Sequence, residues 1–444
     1  MTIFALATAP GRGALAVIRI SGDRAGASLD ILSGAPRPEA RVARVRRLKD
    51  PRTGQALDEA LVLWMPGPAS FTGEDCVELH VHGGIAVTDS ILSALAEIEG
   101  LSPAEPGAFS RRAVMNGRLD LTAAEGIADL IDAETAAQQS QALRQMQGRL
   151  RDLYEGWRDE LKSALAHLEA DIEFADEDLP GGLGESALDR VETLVESLNA
   201  HLGETRGEKL RDGLSIAIIG PPNAGKSSII NALSGRDAAI VSARAGTTRD
   251  IVEVAMVLGG VPVTLSDTAG LRDTGDDIEA EGVRRARLRA QEADIRLLVT
   301  AYDAPLAQTE AVALLQAGDF WLQNKQDAQS QIDNPQVEPP EDVTYLEMSA
   351  HDQASIDAFM AKLEALVAER FGVGERPVLT RARHRNALEE AATHLVRALS
   401  ARDIGLELAA EDLRLASRAL GRITGSVDIE ALLDVVFADF CIGK

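Results

Sequence analysis

Cysteine is nearly missing from this 444-residue chain: only Cys76 and Cys441 occur. Two thiols cannot build a disulfide framework, and the scarcity suits a reducing compartment. No uninterrupted apolar run reaches the roughly 20 residues that a membrane-spanning helix needs. The opening Met1-Thr2-Ile3-Phe4-Ala5-Leu6 has no basic segment ahead of its apolar residues, so it does not read as a secretory leader. Positive charge is short too: 45 Lys and Arg face 70 Asp and Glu, a formal net charge of -25. Such a surface as a whole repels nucleic acid and anionic membranes, so any RNA contact must use a local patch or a partner. Together these absences predict a soluble cytoplasmic protein, of roughly two to four domains at about 150 residues each.

What is present changes character along the chain. Up to Gly117, short β-rich runs (Ala14 to Ile20, Leu61 to Met65, Cys76 to Val81) alternate with Gly and Pro, as in a small α+β domain. This part carries 12 Lys and Arg against 13 Asp and Glu, so almost all the excess acid lies beyond it. Within it Arg41-Val42-Ala43-Arg44-Val45-Arg46-Arg47-Leu48-Lys49 is a basic run, read as a solvated charged strand with RNA phosphates as the alternative. His80 and His82 share a strand face, but no further ligands cluster with them to suggest a metal.

From Leu119 to Arg211 long Ala-, Leu- and Glu-rich segments take over, and Leu143, Met146, Leu150, Leu153, Trp157 and Leu161 repeat at helical spacing. From Leu214 to Phe371 apolar β-like runs alternate with helical ones, the pattern of a doubly wound parallel sheet. Helical periodicity returns after Gly374. The chain therefore divides into 1–117, an N-terminal α+β domain; 118–211 and 374–444, two parts of one helical bundle that pack together; and 212–373, an inserted α/β domain.

The inserted domain opens on Gly220-Pro221-Pro222-Asn223-Ala224-Gly225-Lys226-Ser227-Ser228, which fits GxxxxGK[ST] after an apolar strand and before a helix. That spacing makes a phosphate-cradling P-loop. Its glycines let backbone N–H groups turn toward phosphate, Lys226 reaches the β/γ oxygens, and Ser227 offers a hydroxyl to Mg²⁺. Asp267-Thr268-Ala269-Gly270 is placed to hold the metal through water and to meet the γ-phosphate with an amide. Thr248, in Gly246-Thr247-Thr248-Arg249-Asp250, supplies a second metal hydroxyl from a loop that orders with the γ-phosphate. Asn324-Lys325-Gln326-Asp327 selects GTP: the Asp327 carboxylate accepts from the ring N–H and exocyclic amine of guanine, whereas adenine would leave it unpaired. Ser349-Ala350 provides a backbone donor for the guanine carbonyl. The strand before Asn324, Asp319-Phe320-Trp321-Leu322-Gln323, is less apolar than a buried parallel strand usually is.

One absence inside this domain carries mechanism. Many GTPases place glutamine directly after the DxxG glycine to orient the attacking water, but here Leu271 stands there and cannot hydrogen-bond. Glu279 is the candidate replacement, because a carboxylate can accept a proton from water. Nothing announces an arginine finger; Asn223 could instead ligate a monovalent cation at the β/γ bridge.

These motifs, with Leu271-Arg272 after the DxxG and Phe440-Cys441-Ile442-Gly443-Lys444 at the end, resemble the tRNA modification GTPases of the MnmE, or TrmE, family over the whole chain. Pro10-Gly11-Arg12-Gly13, Arg19-Ile20-Ser21-Gly22, Phe71-Thr72-Gly73-Glu74-Asp75 and Asn116-Gly117-Arg118-Leu119-Asp120-Leu121 look like the family's N-terminal motifs. The resemblance implies an N-terminal domain that forms a homodimer and binds 5-formyl-tetrahydrofolate or methylene-tetrahydrofolate through Arg19, Glu78, Arg118 and Lys444. Arginines suit a folate carboxylate tail and a glutamate suits the pterin's donor edge. Without the resemblance, Arg19 and Glu78 read as an ordinary salt bridge. The family further implies K⁺-stimulated hydrolysis with Asn223, Thr247, Ser242 and Arg244 around the K⁺, Glu279 positioning water, and Cys441 as a candidate nucleophile. Its FAD-dependent partner is MnmG, also called GidA, in a heterotetramer that adds an aminomethyl or carboxymethylaminomethyl group to C5 of the wobble uridine of certain tRNAs. The competing reading is a non-catalytic RNA-binding switch, which would need neither the folate-like domain nor the FCIGK tail.

Overall fold

The computed structural model describes residues 1–173, 183–234, 253–267, 287–302, 311–327, 338–374, 376–402, 404–427, 433–434, 436–437, 440 and 442–443. The chain forms two compact units: Met1–Ile131 with Leu143–Asn199 and Asn386–Lys444, and Asp132–Ala142 with Ala200–Arg385.

The first unit opens on a six-stranded sheet: β1 (Thr2–Leu6), β2 (Leu15–Ser21), β3 (Arg44–Lys49), β4 (Ala56–Met65), β5 (Cys76–His82) and β6 (Leu101–Pro103), in the order β3-β4-β5-β2-β1-β6. Pairing is antiparallel except between β1 and β6. Alternation sorts the side chains: Ala16, Ile18 and Ile20 of β2 are buried on one face, while Leu15, Val17 and Arg19 take the other. Helices Ala25–Ser33 and Ile85–Ala96 cover the buried face, where Leu29, Leu32, Ile91 and Leu95 join Ile18, Ile20, Val62 and Leu79 in one core. Each such side chain contributes about 1.5–3 kcal/mol by leaving water. The helix Ala25–Ser33 stops at Gly34, whose left-handed φ of 61° lets its N–H donate to Asp30 O. The three strands read from sequence are β2, β5 and the second half of β4. The basic run is a strand too, β3; with only Leu48 buried, it has no apolar alternation to announce it.

The rest of this unit is helical. Helix Arg149–Glu173 buries Leu150, Tyr154, Trp157, Leu161, Ala164 and Leu168, and it packs on helix Leu406–Thr424, which buries Leu413, Ala416, Leu420 and Ile423. Arg414 pairs with Glu169 at 2.7 Å, and Glu155 accepts from Thr424 and Ser426 at 2.5 and 2.6 Å, which ties these two helices together. The stripe itself shifts. Gly148, at φ 87°, separates helix Ala136–Met146 from Arg149–Glu173, and in the new phase Tyr154 is buried while Leu153 is half-buried. Near the end of the chain Leu433, Phe437 and Phe440 pack on Val114, Leu121 and Ala124.

The second unit holds β7 (Leu214–Ile219), β8 (Glu253–Leu258), β9 (Val261–Asp267), β10 (Ile295–Ala301), β11 (Phe320–Asn324) and β12 (Thr344–Glu347), in the order β12-β11-β10-β7-β9-β8. All neighbours are parallel except β8 and β9, joined as a hairpin through Gly259-Gly260. Ile229, Ile230 and Leu233 of helix Lys226–Ser234 and Phe359, Leu363 and Val367 of helix Gln353–Phe371 cover one face. Ala290, Ala293 and Trp321 belong to a second cluster with Ile219 and Leu298. This is the doubly wound sheet that the alternating pattern predicts. The polar residues of β11 are buried with partners for their oxygens, Gln323 Oε1 accepting from Thr300 Oγ1, which accepts from Trp321 Nε1 at 2.8 Å, while Gln323 Nε2 is buried with no described partner. Asp319, just before the strand, accepts from the Arg296 and Gln316 N–H groups at 2.8 and 2.7 Å.

Also in this unit, Arg385 reaches Glu208 at 2.6 Å and Leu202 O at 2.7 Å. Burial, with the charges of His384 and Arg385, pushes the His201 imidazole down to about 4. No helix among the described residues is long and apolar enough to cross a membrane.

Candidate functional site

The nucleotide motifs converge at the C-terminal ends of parallel strands, where α/β sheets place ligands. β7 runs into the loop Gly220–Gly225, and the loop runs into helix Lys226–Ser234. Gly220 has φ 141° and Gly225 φ 96°; a Cβ at Gly220 would lie 2.0 Å from Val299 O, and one at Gly225 would lie 2.1 Å from Asn324 Nδ2. Both glycines are therefore demanded by close approach as well as by conformation. Asn223 is also left-handed, at φ 61°, and its side chain is exposed at the loop's tip. Ala224 is buried, while Ser227 and Ser228 occupy the exposed side of the helix's first turn. Lys226 is buried, and its Nζ donates to Gly220 O and Pro221 O at 2.8 Å each, so the ammonium lies inside the loop where phosphate oxygens would replace those carbonyls.

Asn324 binds this loop to the base-selecting segment. It closes β11, and its Nδ2 donates to Ala224 O at 2.9 Å while its Oδ1 accepts from Ala350 N at 3.0 Å. Gln326 N donates to Met348 O at 3.1 Å, which adds a second tie between the two segments. Of the backbone donors expected from Ser349-Ala350, the Ala350 N–H is thus engaged by Asn324, a role the motif spacing did not reveal. Lys325 takes φ 61° and Asp327 is exposed, its carboxylate open to solvent. Ser349 is buried beside Ala350. Asp267 ends β9, as expected, but its side chain lies outside the described residues. So do Ser242, Arg244, Gly246, Thr247, Thr248, Thr268, Ala269, Gly270, Glu279, Cys441 and Lys444.

The N-terminal candidates sit on strands. Arg19 on β2 and Glu78 on β5 are directly opposed in register, and Arg19 Nε and Nη2 donate to Glu78 Oε1 at 3.1 and 2.9 Å. The other carboxylate oxygen lies 3.4 Å from His80 Nε2. The Arg19 guanidinium stands 5.3 Å from the Phe71 ring and 5.8 Å from Phe109, contacts that strengthen where water is excluded. The pair is about a fifth exposed, so it is accessible to a ligand from the sheet's outer face. Phe71 lies in a loop and Phe109 on helix Ala108–Met115, so only the fold brings their rings to Arg19, while His80, weighed above as a metal ligand, faces Glu78 instead. Arg118 does not join the pair through any described bond; it is exposed, with its stem against Gly73.

The flanking motif residues lock this arrangement. Ser21 Oγ meets Thr72 Oγ1 at 2.7 Å and donates to Glu74 Oε2 at 2.9 Å, and Arg112 holds the same carboxylate at 2.6 Å. Asn116 Nδ2 donates to Thr72 O at 2.7 Å. Cys76 Sγ lies 3.1 Å from Thr72 Oγ1, buried and structural. His82 Nδ1 is bound to Asp58 at 2.7 Å, and no group of His, Cys, Asp and Glu suited to a metal occurs among the described residues.

Residues 121–441 match the family described as MnmE helical domain, and residues 2–118 match GTP-binding protein TrmE N-terminus. A tRNA modification GTPase MnmE of Paramagnetospirillum magneticum is 54% identical over 452 residues, covering 100% of this chain and 99% of its own. Its namesake in Parvibaculum lavamentivorans is 52% identical, with 100% of both chains covered. That of Maricaulis maris is 51% identical, covering 100% of this chain and 99% of its own.

Proposed function

The chain belongs to the MnmE family of tRNA modification GTPases, and from that membership we propose that its GTP hydrolysis drives modification at C5 of the wobble uridine in a set of tRNAs. The observation that carries the GTPase reading is Asn324, which joins the phosphate loop at Ala224 to the base-selecting turn at Ala350. Two motifs far apart in sequence thereby become one nucleotide site, and the exposed Asp327 carboxylate beside it is chemically suited to guanine alone.

The residues present fit the groups the family uses. Ser227, in the first turn after the phosphate loop, would offer Mg²⁺ its hydroxyl together with Thr248, with Asp267 at the end of β9 holding it through water. Asn223, exposed at the loop's tip, would hold K⁺ with Thr247, Ser242 and Arg244. Bound Mg²⁺ and K⁺ supply positive charge to the phosphates; Glu279 would orient the attacking water that Leu271 cannot hold. Hydrolysis rates compared in K⁺ and Na⁺ test the cation, and equal rates would reject it.

In the N-terminal domain Arg19 and Glu78 present a guanidinium and a carboxylate beside two aromatic rings, a donor and acceptor set matched to a tetrahydrofolate tail and pterin. Arg118, Lys444 and Cys441 would complete that site. The same sheet face leaves Val45 and Leu61 exposed at 66% and 39%, an apolar surface suited to a second copy of the chain. The working form is thus a cytoplasmic homodimer, divided at about residues 117, 211 and 373, that joins the FAD-dependent MnmG in a heterotetramer. Mass spectrometry of tRNA nucleosides from a deletion strain should show the wobble modification missing; an unchanged profile would favour the RNA-binding switch.

A further inference from the structure

The terminal strand of the N-terminal sheet is a basic border in an acidic chain. β3 is that terminal strand, so its outer edge presents backbone N–H and C=O groups to no neighbouring strand among the described residues. Five basic residues fall at or beside it, Arg41, Arg44, Arg46, Arg47 and Lys49, with no acidic residue between them. Natural edge strands carry such charges to prevent sheet-to-sheet aggregation, and one or two lysines would serve that purpose. Here the supply of cation exceeds it, and the partners do not match. Arg47 pairs with Glu59 at 2.9 Å, and Arg41 donates to Ala69 O. Arg44 and Lys49 are exposed with no ion pair among the described residues. Arg46 is half-buried, its Nε has no described hydrogen-bond partner, and its one described side-chain bond runs to Val45 O at 3.3 Å.

Spacing adds a second constraint. Arg44 and Arg46 lie two residues apart on an extended strand, opposite Val62 and Ala60, so they share a face about 7 Å apart. That separation is comparable with the distance between neighbouring phosphates along one RNA strand. In a chain of net charge -25, this run is a local surface that attracts a polyanion.

We infer that the β3 edge is the surface that receives the sugar-phosphate backbone of the tRNA, with Arg44 and Arg46 as its paired phosphate contacts. The inference rests on the tRNA-modifying reading above, which the nucleoside profile tests separately. Because the contacts are to phosphate, they position the RNA without reading its sequence.

The test is tRNA affinity of the full chain at several salt concentrations, for wild type, Arg44→Glu and the Arg44→Ala/Arg46→Ala pair. The double variant should lose at least tenfold in affinity at low salt, and the slope of log K against log salt should shrink by roughly 0.7–0.9 for each phosphate contact removed. Arg44→Glu should lose at least as much as one contact, and because Arg44 is exposed it keeps the fold. GTP hydrolysis should be unchanged in both. Wild-type affinity and slope in the variants, or no salt-dependent binding by the wild type, overturns the inference. So does loss of dimer in sedimentation at unchanged RNA affinity, which would give the edge to a second copy. If these fail while the deletion strain still lacks the modification, only the surface is wrong.

Discussion

The two sheets arrange their candidate functional groups in opposite ways. In the N-terminal sheet the functional groups project from the middle of strands: the register that opposes Arg19 to Glu78 also sets their contact, and hydrogen bonds from Ser21, Thr72, Glu74 and Arg112 fix the frame. In the nucleotide sheet the strands are buried and their ends carry the candidate groups: β7 and β11 each stop where a residue of left-handed backbone follows. One site is built from side chains on a rigid ladder. The other is built from backbone groups whose directions depend on Gly220, Asn223, Gly225 and Lys325 at positive φ. Damage to the first should therefore be local and chemical, and damage to the second conformational.

Gly220→Ala tests this most severely. Its Cβ would fall 2.0 Å from a backbone carbonyl at a φ of 141°, so β7 and β10 must separate. The expected loss is more than about 3 kcal/mol, with nucleotide binding abolished. Gly34→Ala in the N-terminal unit has the same sign of φ but meets nothing within 4 Å, and should cost about 1 kcal/mol. Thermal unfolding of both variants gives the ratio, and similar losses would break the contrast.

A crossed pair comes next. Asn324→Ala strands the Ala224 carbonyl and the Ala350 N–H, at about 1–3 kcal/mol each, so GTP affinity should fall roughly 100-fold while folate binding stays. Arg19→Ala should do the reverse, lowering tetrahydrofolate affinity about tenfold with GTP binding intact. Titration calorimetry with both ligands decides it; if either variant loses both, the sites are not independent.

The smallest effect concerns pH. His201 is held at about 4 when folded, against 6.5 unperturbed, so between those values the unfolded chain binds the extra proton. Stability therefore falls as pH drops from about 6.5 toward 4, and His201→Gln should flatten that part of the melting-temperature profile. Parallel profiles would discard the burial assigned to it.

How far the sequence could be read follows from the same contrast. The phosphate loop is legible because backbone geometry demands glycine at fixed offsets, and Gly220 and Gly225 prove to be required by contact as well. Asp319 and Gln323 made β11 look too polar for a central strand; their buried partners, Arg296 and Thr300, come from β10, and no local pattern could name them. Arg19 and Glu78 are 59 residues apart, so their pairing depends on a register that periodicity does not give. β3 escaped for a different reason, since a strand with one buried residue carries no alternation.

The cluster of Leu433, Phe437 and Phe440 on Val114 and Leu121 has a consequence for synthesis. The nucleotide-binding unit is nearly one continuous stretch, 200–385, complete before residue 386 leaves the ribosome. The unit that begins the chain is also the one that ends it, and its apolar surface at Val114 and Leu121 must wait, uncovered, for the last dozen residues to arrive. During elongation the nascent N-terminal domain thus carries an apolar surface that invites chaperones until residues 433–440 have been made.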